Sequence, residues 1–357
     1  MPILKVAVLY GGKSTEHEVS VHSAQTVCRV LSEKKDKYEV YPIFISKQGR
    51  WFLQEACGPQ HPTDKPITPV LKDEANLVAL DGSFSIKADV VFPVLHGTNC
   101  EDGTMQGFLE TLDVPYVGCG VLASAMGMDK EISKLIAREA GVPILPWKIV
   151  SKDAGYDLSA LQAWAEEQGL PVFVKPVRLG SSVGVRKVKT VGELQSALDF
   201  ALQFDTDVLV EKGVDHAREI FCAIYGEGVH IKSSACGELS TVAGEFFDYN
   251  AKYIVVGGCE TKVPADIPAD LAQKMRQDSE AVFRALRGSG LARVDFLMDK
   301  NGAYYFSEIN TMPGMSETSL FPQLFSACGE DYGQILDGLI ALALRVHARK
   351  AALSLNR

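Results

Sequence analysis

The chain has 357 residues, 46% hydrophobic and 23% charged, with a formal net charge of -9. That length suits two or three domains of about 150 residues, and the composition is that of an ordinary globular protein. The acidic balance excludes a general nucleic-acid surface, which is normally basic, but not an anionic substrate held by a few local lysines and a metal.

The opening MPILKVAVLYGGK has a short apolar run broken by Lys5, so it reads as a first strand and not as a secretion signal. No segment reaches the roughly 18 uninterrupted apolar residues of a membrane span. The eight cysteines, at 28, 57, 100, 119, 222, 236, 259 and 328, contain no C-x-x-C pair. That scatter predicts reduced thiols and a cytoplasmic location.

KVAVLY, the helical pattern HEVSVHSAQTVCRVLSE and YEVYPIFIS give strand, helix, strand, the start of a parallel sheet. ADVVFPVLHG predicts another buried strand and EDGTMQGFLETL a helix, so residues 1–125 read as an α/β layer domain. The polar, proline-rich piece from 58 to 73 reads as a loop within it. Asp129 is placed to cap a helix over KEISKLIAREAG. Short strands PWKIV, PVFVKPV, VGVRKVK, DVLVEK and REIFCAIYG then alternate with helices at 158–168 and 192–204, an α+β texture over 126–225. The last part, 226–357, holds strands GLARVDFLMD and GAYYFSEINT and a closing helix in GQILDGLIALALRVHARKAAL.

Two near-motifs carry no function. AVLYGGKS lacks the first glycine of a phosphate-cradling P-loop, with Ala7 inside the strand instead. GCGVLA approaches the dinucleotide fingerprint but has no acidic residue closing a second strand about 20 residues on.

The chemistry concentrates later. In ARVDF, alternation puts Arg293 and Asp295 on one strand face, and in SEIN it puts Glu308 and Asn310 together. If the strands are neighbours, two carboxylates and an amide converge, a set that suits Mg²⁺; either strand alone would read as an exposed polar face. Asp295 could also be a general base. In FVKPVRLGSSVGVRKV, Lys175 between Val174 and Pro176 is costly to bury unless an anion neutralises it. The Gly-Ser-Ser-x-Gly tip after it lets backbone N–H groups approach that anion, although a plain β-hairpin turn is the alternative.

GGKSTEHEVS, HGTNCEDGTMQG, MDK, VKPVRLGSSVGV, DYNAKY, ARVD and EINTMPGMSETSLFP, in this order and spacing, resemble the D-alanine:D-alanine ligases of the ATP-grasp superfamily across essentially the whole chain. The resemblance implies a parallel-sheet α/β domain followed by a two-part ATP-grasp fold. It also implies ATP and two Mg²⁺ or Mn²⁺ ions, D-alanine as substrate and a possible homodimer. A γ-phosphate would pass to the first D-alanine, and the amine of the second would attack the acyl phosphate.

By the same resemblance, Lys130, Lys175, Lys252 and Ser182 serve the phosphates, while the main chain from Glu211 and Lys212 to Val214 meets adenine and Glu219 the ribose. Glu16 would hold the first ammonium with His96 beside it, and Arg293 with the N–H of Gly314 the oxyanion. Ser319 and Lys252 would take the second carboxylate, Asp295, Glu308 and Asn310 the metal. Tyr253 would tie a lid to Glu16 and Ser181. Ligases making D-alanyl-D-lactate or D-alanyl-D-serine, another ATP-grasp carboxylate-amine ligase, and a binding module without activity are the alternatives. The chain departs from the family at VDHAREI, which shifts the register around Val214, and at Cys100, where glycine is common.

Overall fold

A computed structural model describes residues 2–71, 74–241 and 259–353. Three sheets organise them. The first begins with β1 (Leu4–Gly11), whose residues from Val6 to Gly11 are all buried. It pairs in parallel with β2 (Tyr38–Ile45) on one side and β7 (Val90–Val94) on the other. Burial on both faces explains the unbroken apolar runs there.

Beyond β2 the sheet turns antiparallel through β3 (Trp51–Leu53), β4 (Lys65–Pro69), β5 (Leu77–Ala79) and β6 (Ser85–Ile86). The parallel core that the sequence predicts is thus extended by antiparallel strands, and one expectation is corrected: the proline-rich piece read as a loop contains β4. Its prolines hid it, because proline usually signals an edge or a turn.

Helix α1 (His17–Ser32) buries Ser20, Ala24, Val27, Cys28 and Leu31, a stripe at helical spacing. Cys28 is joined by a disulfide to Cys57, 29 residues later, where the loop after β3 folds over the helix. Reduced thiols were expected throughout; sequence spacing carries no sign of this long-range approach. Helices α2 (Thr104–Thr111) and α3 (Val121–Met128) follow, then α4 (Lys130–Glu139), where Asp129 accepts from the N–H of Ile132 as the sequence predicts.

The second sheet is antiparallel and orders β10 (Arg186–Val188), β9 (Val172–Pro176), β11 (Asp207–Lys212) and β8 (Trp147–Ser151). Helices α5 (Leu158–Gln168) and α6 (Leu194–Ala201) cover it. The third sheet orders β14 (Cys259–Lys262), β13 (Lys232–Thr241), β12 (Arg218–Glu227), β15 (Ser289–Met298) and β16 (Tyr304–Asn310), all antiparallel. REIFCAIYG, read with the central strands, is therefore β12 of the third sheet, and residue 225 lies within it. Helices α7 (Ala269–Ala285), α8 (Leu320–Ser326) and α9 (Tyr332–Ala351) complete the fold.

One apolar cluster runs from β1, α1 and β7 through α8 and α9 to β12 and β15, so the first and third sheets share a core. Lys34 and Lys37, in the turn after α1, both pair with Asp337 of α9 and reinforce that junction. Among the described residues no helix is long and apolar enough to cross a membrane.

Candidate active site

The three sheets meet where the loops after β1, β9 and β16 converge. After β1 the chain turns into α1 with Glu16, which is buried, as the residue preceding the helix. The hydroxyl of Ser181, 165 residues away on the β9–β10 loop, donates to Glu16 Oε1. That loop holds an unusual backbone. Ser181 and Ser182 have φ of 53° and 57°, the left-handed region that non-glycine residues seldom occupy. At Gly184, with φ of 75°, a Cβ would lie 2.6 Å from Pro176 and 3.0 Å from Phe204. Gly97, on the neighbouring loop after β7, likewise leaves no room for a side chain, since a Cβ there would lie 2.7 Å from Glu16 Oε2.

His96 just before it is buried, with Nδ1 donating to the carbonyl of Met312 at 2.9 Å and Nε2 accepting from Ser23 at 3.2 Å. Burial pushes its pKa below the ordinary value, so the ring is neutral. Glu101 lies 3.8 Å from the ring. Burial first, and then the charge of Glu16, push its carboxyl well above the ordinary range. Sequence reasoning missed Glu101, although it stands in the same HGTNCEDG segment. Cys100 beside it is buried, and its thiol is pushed up to about 12.

Lysines line the second wall. Lys175, on β9, reaches Glu211 Oε2 of β11 at 2.6 Å. Burial opposes its charge, but Glu211 outweighs that and raises its pKa. Lys130 donates to the carbonyl of Leu179 at 2.5 Å and lies 3.6 Å from Glu308. Lys130 and Lys175 both feel the charge of Glu308 on β16. Lys212 ends β11 and Gly213 follows it, their N–H groups bonded to the carbonyls of Pro146 and Pro171. Glu219, on β12, adds a negative potential at Lys175.

The third wall is β15 with β16. Arg293 grips Asp295 through two hydrogen bonds, Nε to Oδ1 at 2.7 Å and Nη2 to Oδ2 at 2.6 Å. The register places Asp295 opposite Glu308 and Arg293 opposite Asn310, and a bulge follows Asp295. The neighbouring strands that the sequence required are therefore present. Asn310 Oδ1 accepts from the N–H of Met312 at 2.8 Å. In the loop beyond, a Cβ on Gly314 would lie 2.8 Å from Ser319 Oγ, which bonds the N–H of Ser316 at 3.1 Å.

The donor set fits a hard divalent cation. Two carboxylates and the amide oxygen of Asn310 are the hard oxygen donors that such a cation takes. Among the described residues no group of three or more His, Cys, Asp or Glu side chains is placed to hold a metal ion. Lys252 and Tyr253 lie outside the described residues.

A mixed sheet leading into two antiparallel sheets, with a serine-glycine loop and inward lysines on one and paired carboxylates on the other, defines the ATP-grasp class of ligase. The family models "D-ala D-ala ligase N-terminus" and "D-ala D-ala ligase C-terminus" match residues 5–119 and 136–341. The chain is 42% identical to the D-alanine--D-alanine ligase A of Bradyrhizobium diazoefficiens, covering 98% of this chain and 97% of that one. Among solved structures, the D-alanine-D-alanine ligase from Coxiella burnetii superposes with a TM-score of 0.86 at 33% identity, over 98% of this chain and 97% of that chain. The VanG D-Ala:D-Ser ligase from Enterococcus faecalis gives 0.83 at 32% identity, over 96% and 100%. The chain belongs to the D-alanine–D-alanine ligase family.

Proposed function

We propose that this enzyme joins two D-alanine molecules into D-alanyl-D-alanine, the dipeptide of peptidoglycan precursors, with ATP converted to ADP and phosphate. The observation that carries the reading is the bond from Ser181 to Glu16, which brings the phosphate-type loop onto the candidate anchor for the first amino acid. Curated relatives named D-alanine--D-alanine ligase, at 42% and 43% identity over nearly the whole chain, support D-alanine over D-serine at the second position.

A carboxylate resists attack by an amine until one oxygen becomes a leaving group. Glu16 binds the first substrate's ammonium through a charge-assisted bond and so aims its carboxylate into the cleft, with His96 behind it. The N–H groups around Ser181 and Ser182, with Lys130 and Lys175, take the triphosphate. The segment from Glu211 through Lys212 to Val214 borders the adenine, and Glu219 the ribose. Asp295, Glu308 and Asn310 would hold Mg²⁺ or Mn²⁺, which supplies charge neutralisation to the moving phosphoryl group.

Arg293, fixed by Asp295, and the N–H of Gly314 receive the negative charge that builds on the carbonyl oxygen when the second amine attacks. Ser319 with Lys252 binds the second carboxylate, and Tyr253 belongs to the lid. The first, second and third sheets with their helices form the three functional parts. A cytoplasmic location follows from the use of ATP, and a homodimer is the assembly we assign.

Incubating the protein with ATP, Mg²⁺ and single D- or L-amino acids while following phosphate release tests the reading. Release dependent on D-alanine supports it. Release driven equally by L-amino acids, or none with D-alanine, overturns it.

A further inference from the structure

One buried charge in the cleft has no part in the chemistry above. Lys134 lies one turn after Lys130 on α4, and its side chain is 1% exposed. Its ammonium sits 2.5 Å from Glu211 Oε1 and donates to the carbonyl of Phe306 at 3.2 Å. Glu211, equally buried, turns its other oxygen to Lys175. One carboxylate thus joins two ammonium groups arriving from α4 and β9. A lone buried lysine would be too costly to keep charged, and burial does lower the pKa of Lys134 against the pull of Glu211. On Glu211, burial is outweighed by the two lysines, and its carboxyl is held below the ordinary range.

The same lysine spans two sheets. Glu211 belongs to β11 of the second and Phe306 to β16 of the third. Beside it, the N–H of Phe306 bonds the carbonyl of Pro143, in the segment leading to β8, at 2.8 Å. We infer that Lys134 is a positioning residue for the nucleotide: it fixes the Glu211 carboxylate so that Lys175 faces the cleft, and it sets the spacing of the two sheets that enclose it. The inference rests on the reading of Lys175 and Glu211 as nucleotide-facing.

Lys134→Met removes the charge at similar volume and leaves Glu211 paired with Lys175, so no buried charge is stranded. The enzyme is assayed as Lys134→Met, Lys175→Met and the double variant, with KM for ATP, KM for D-alanine, kcat and Tm measured for each. Lys134→Met is expected to raise KM for ATP by about tenfold or more while KM for D-alanine stays within about twofold. The two substitutions should combine to more than the product of their separate effects, because the double variant strands the buried Glu211 carboxylate that each single variant leaves paired. Lys134→Arg, which keeps the cation, should recover part of the loss. If Lys134→Met does not fold, Lys134→Gln, which can still donate to the Phe306 carbonyl, carries the test.

An ATP KM unchanged in Lys134→Met while Lys175→Met raises it overturns the inference and leaves the nucleotide reading standing. An ATP KM unchanged in both variants brings down the nucleotide reading, and the inference with it. Equal losses for ATP and D-alanine with a lowered Tm would make Lys134 a structural residue only, which also overturns it.

Discussion

The hydroxyl of Ser181 and the carboxylate of Glu16, 165 residues apart in sequence, share a hydrogen bond that fastens the β9–β10 loop to the first domain. A bond to a charged partner contributes about 1.5–3 kcal/mol. Ser181→Ala should therefore weaken use of D-alanine and ATP together, by about ten- to a hundredfold in kcat/KM. Steady-state kinetics with each substrate varied in turn checks this; a loss confined to ATP would separate the loop from the Glu16 anchor.

Arg293 holds Asp295 through two parallel bonds, a geometry that lysine cannot reproduce. Arg293→Lys should lower kcat by the equivalent of about 2.7–4 kcal/mol, the usual cost of one oxyanion donor. The Kd for ATP, read by titration calorimetry, should hardly move. An equal loss in Kd would make the arginine a structural clamp on Asp295.

Glu308→Gln keeps the shape of the β16 side chain and removes one of the two carboxylates facing each other across the strand pair. Turnover should collapse, and the Mg²⁺ concentration giving half-maximal activity should rise, with the circular dichroism spectrum unchanged. Phosphate release at the wild-type rate would remove Glu308 from the metal set.

Glu101 supplies a pH signature. Its folded pKa is raised well above the ordinary 4.5, so between those two values the folded chain keeps a proton that the unfolded chain releases. Stability is therefore lost as pH rises through that window. Glu101→Gln removes the term: the two Tm curves should run together below pH 4.5 and separate above it, with the variant higher by a few degrees. A constant gap across pH would show that Glu101 is already ionised in the fold.

Much of this was legible in the sequence because it rests on short-range rules. Alternation alone placed Arg293 with Asp295 and Glu308 with Asn310, and a single capping residue, Asp129, marked the start of α4. Strand β4 was not legible, since Pro66 and Pro69 argue locally against a strand that only its two neighbours stabilise. The Cys28–Cys57 link was hidden for the same reason: a 29-residue separation says nothing about a loop laid over a helix. Lys134 left a faint trace, a second lysine four residues after Lys130 and so on the same face of α4. Its burial against Glu211 depends on β11 and β16 arriving from far along the chain. The register of the adenine hinge at Val214 and the roles of Lys252 and Tyr253 rest on the family pattern.

The central claim is that a carboxylate of D-alanine is phosphorylated before the second amine attacks. D-alanine labelled with ¹⁸O in both carboxylate oxygens, incubated with the enzyme, ATP and Mg²⁺, tests it most directly by mass spectrometry of the products. The account predicts one ¹⁸O in each phosphate released and one retained in the new peptide carbonyl of D-alanyl-D-alanine. Unlabelled phosphate, or phosphate release without dipeptide, would contradict it.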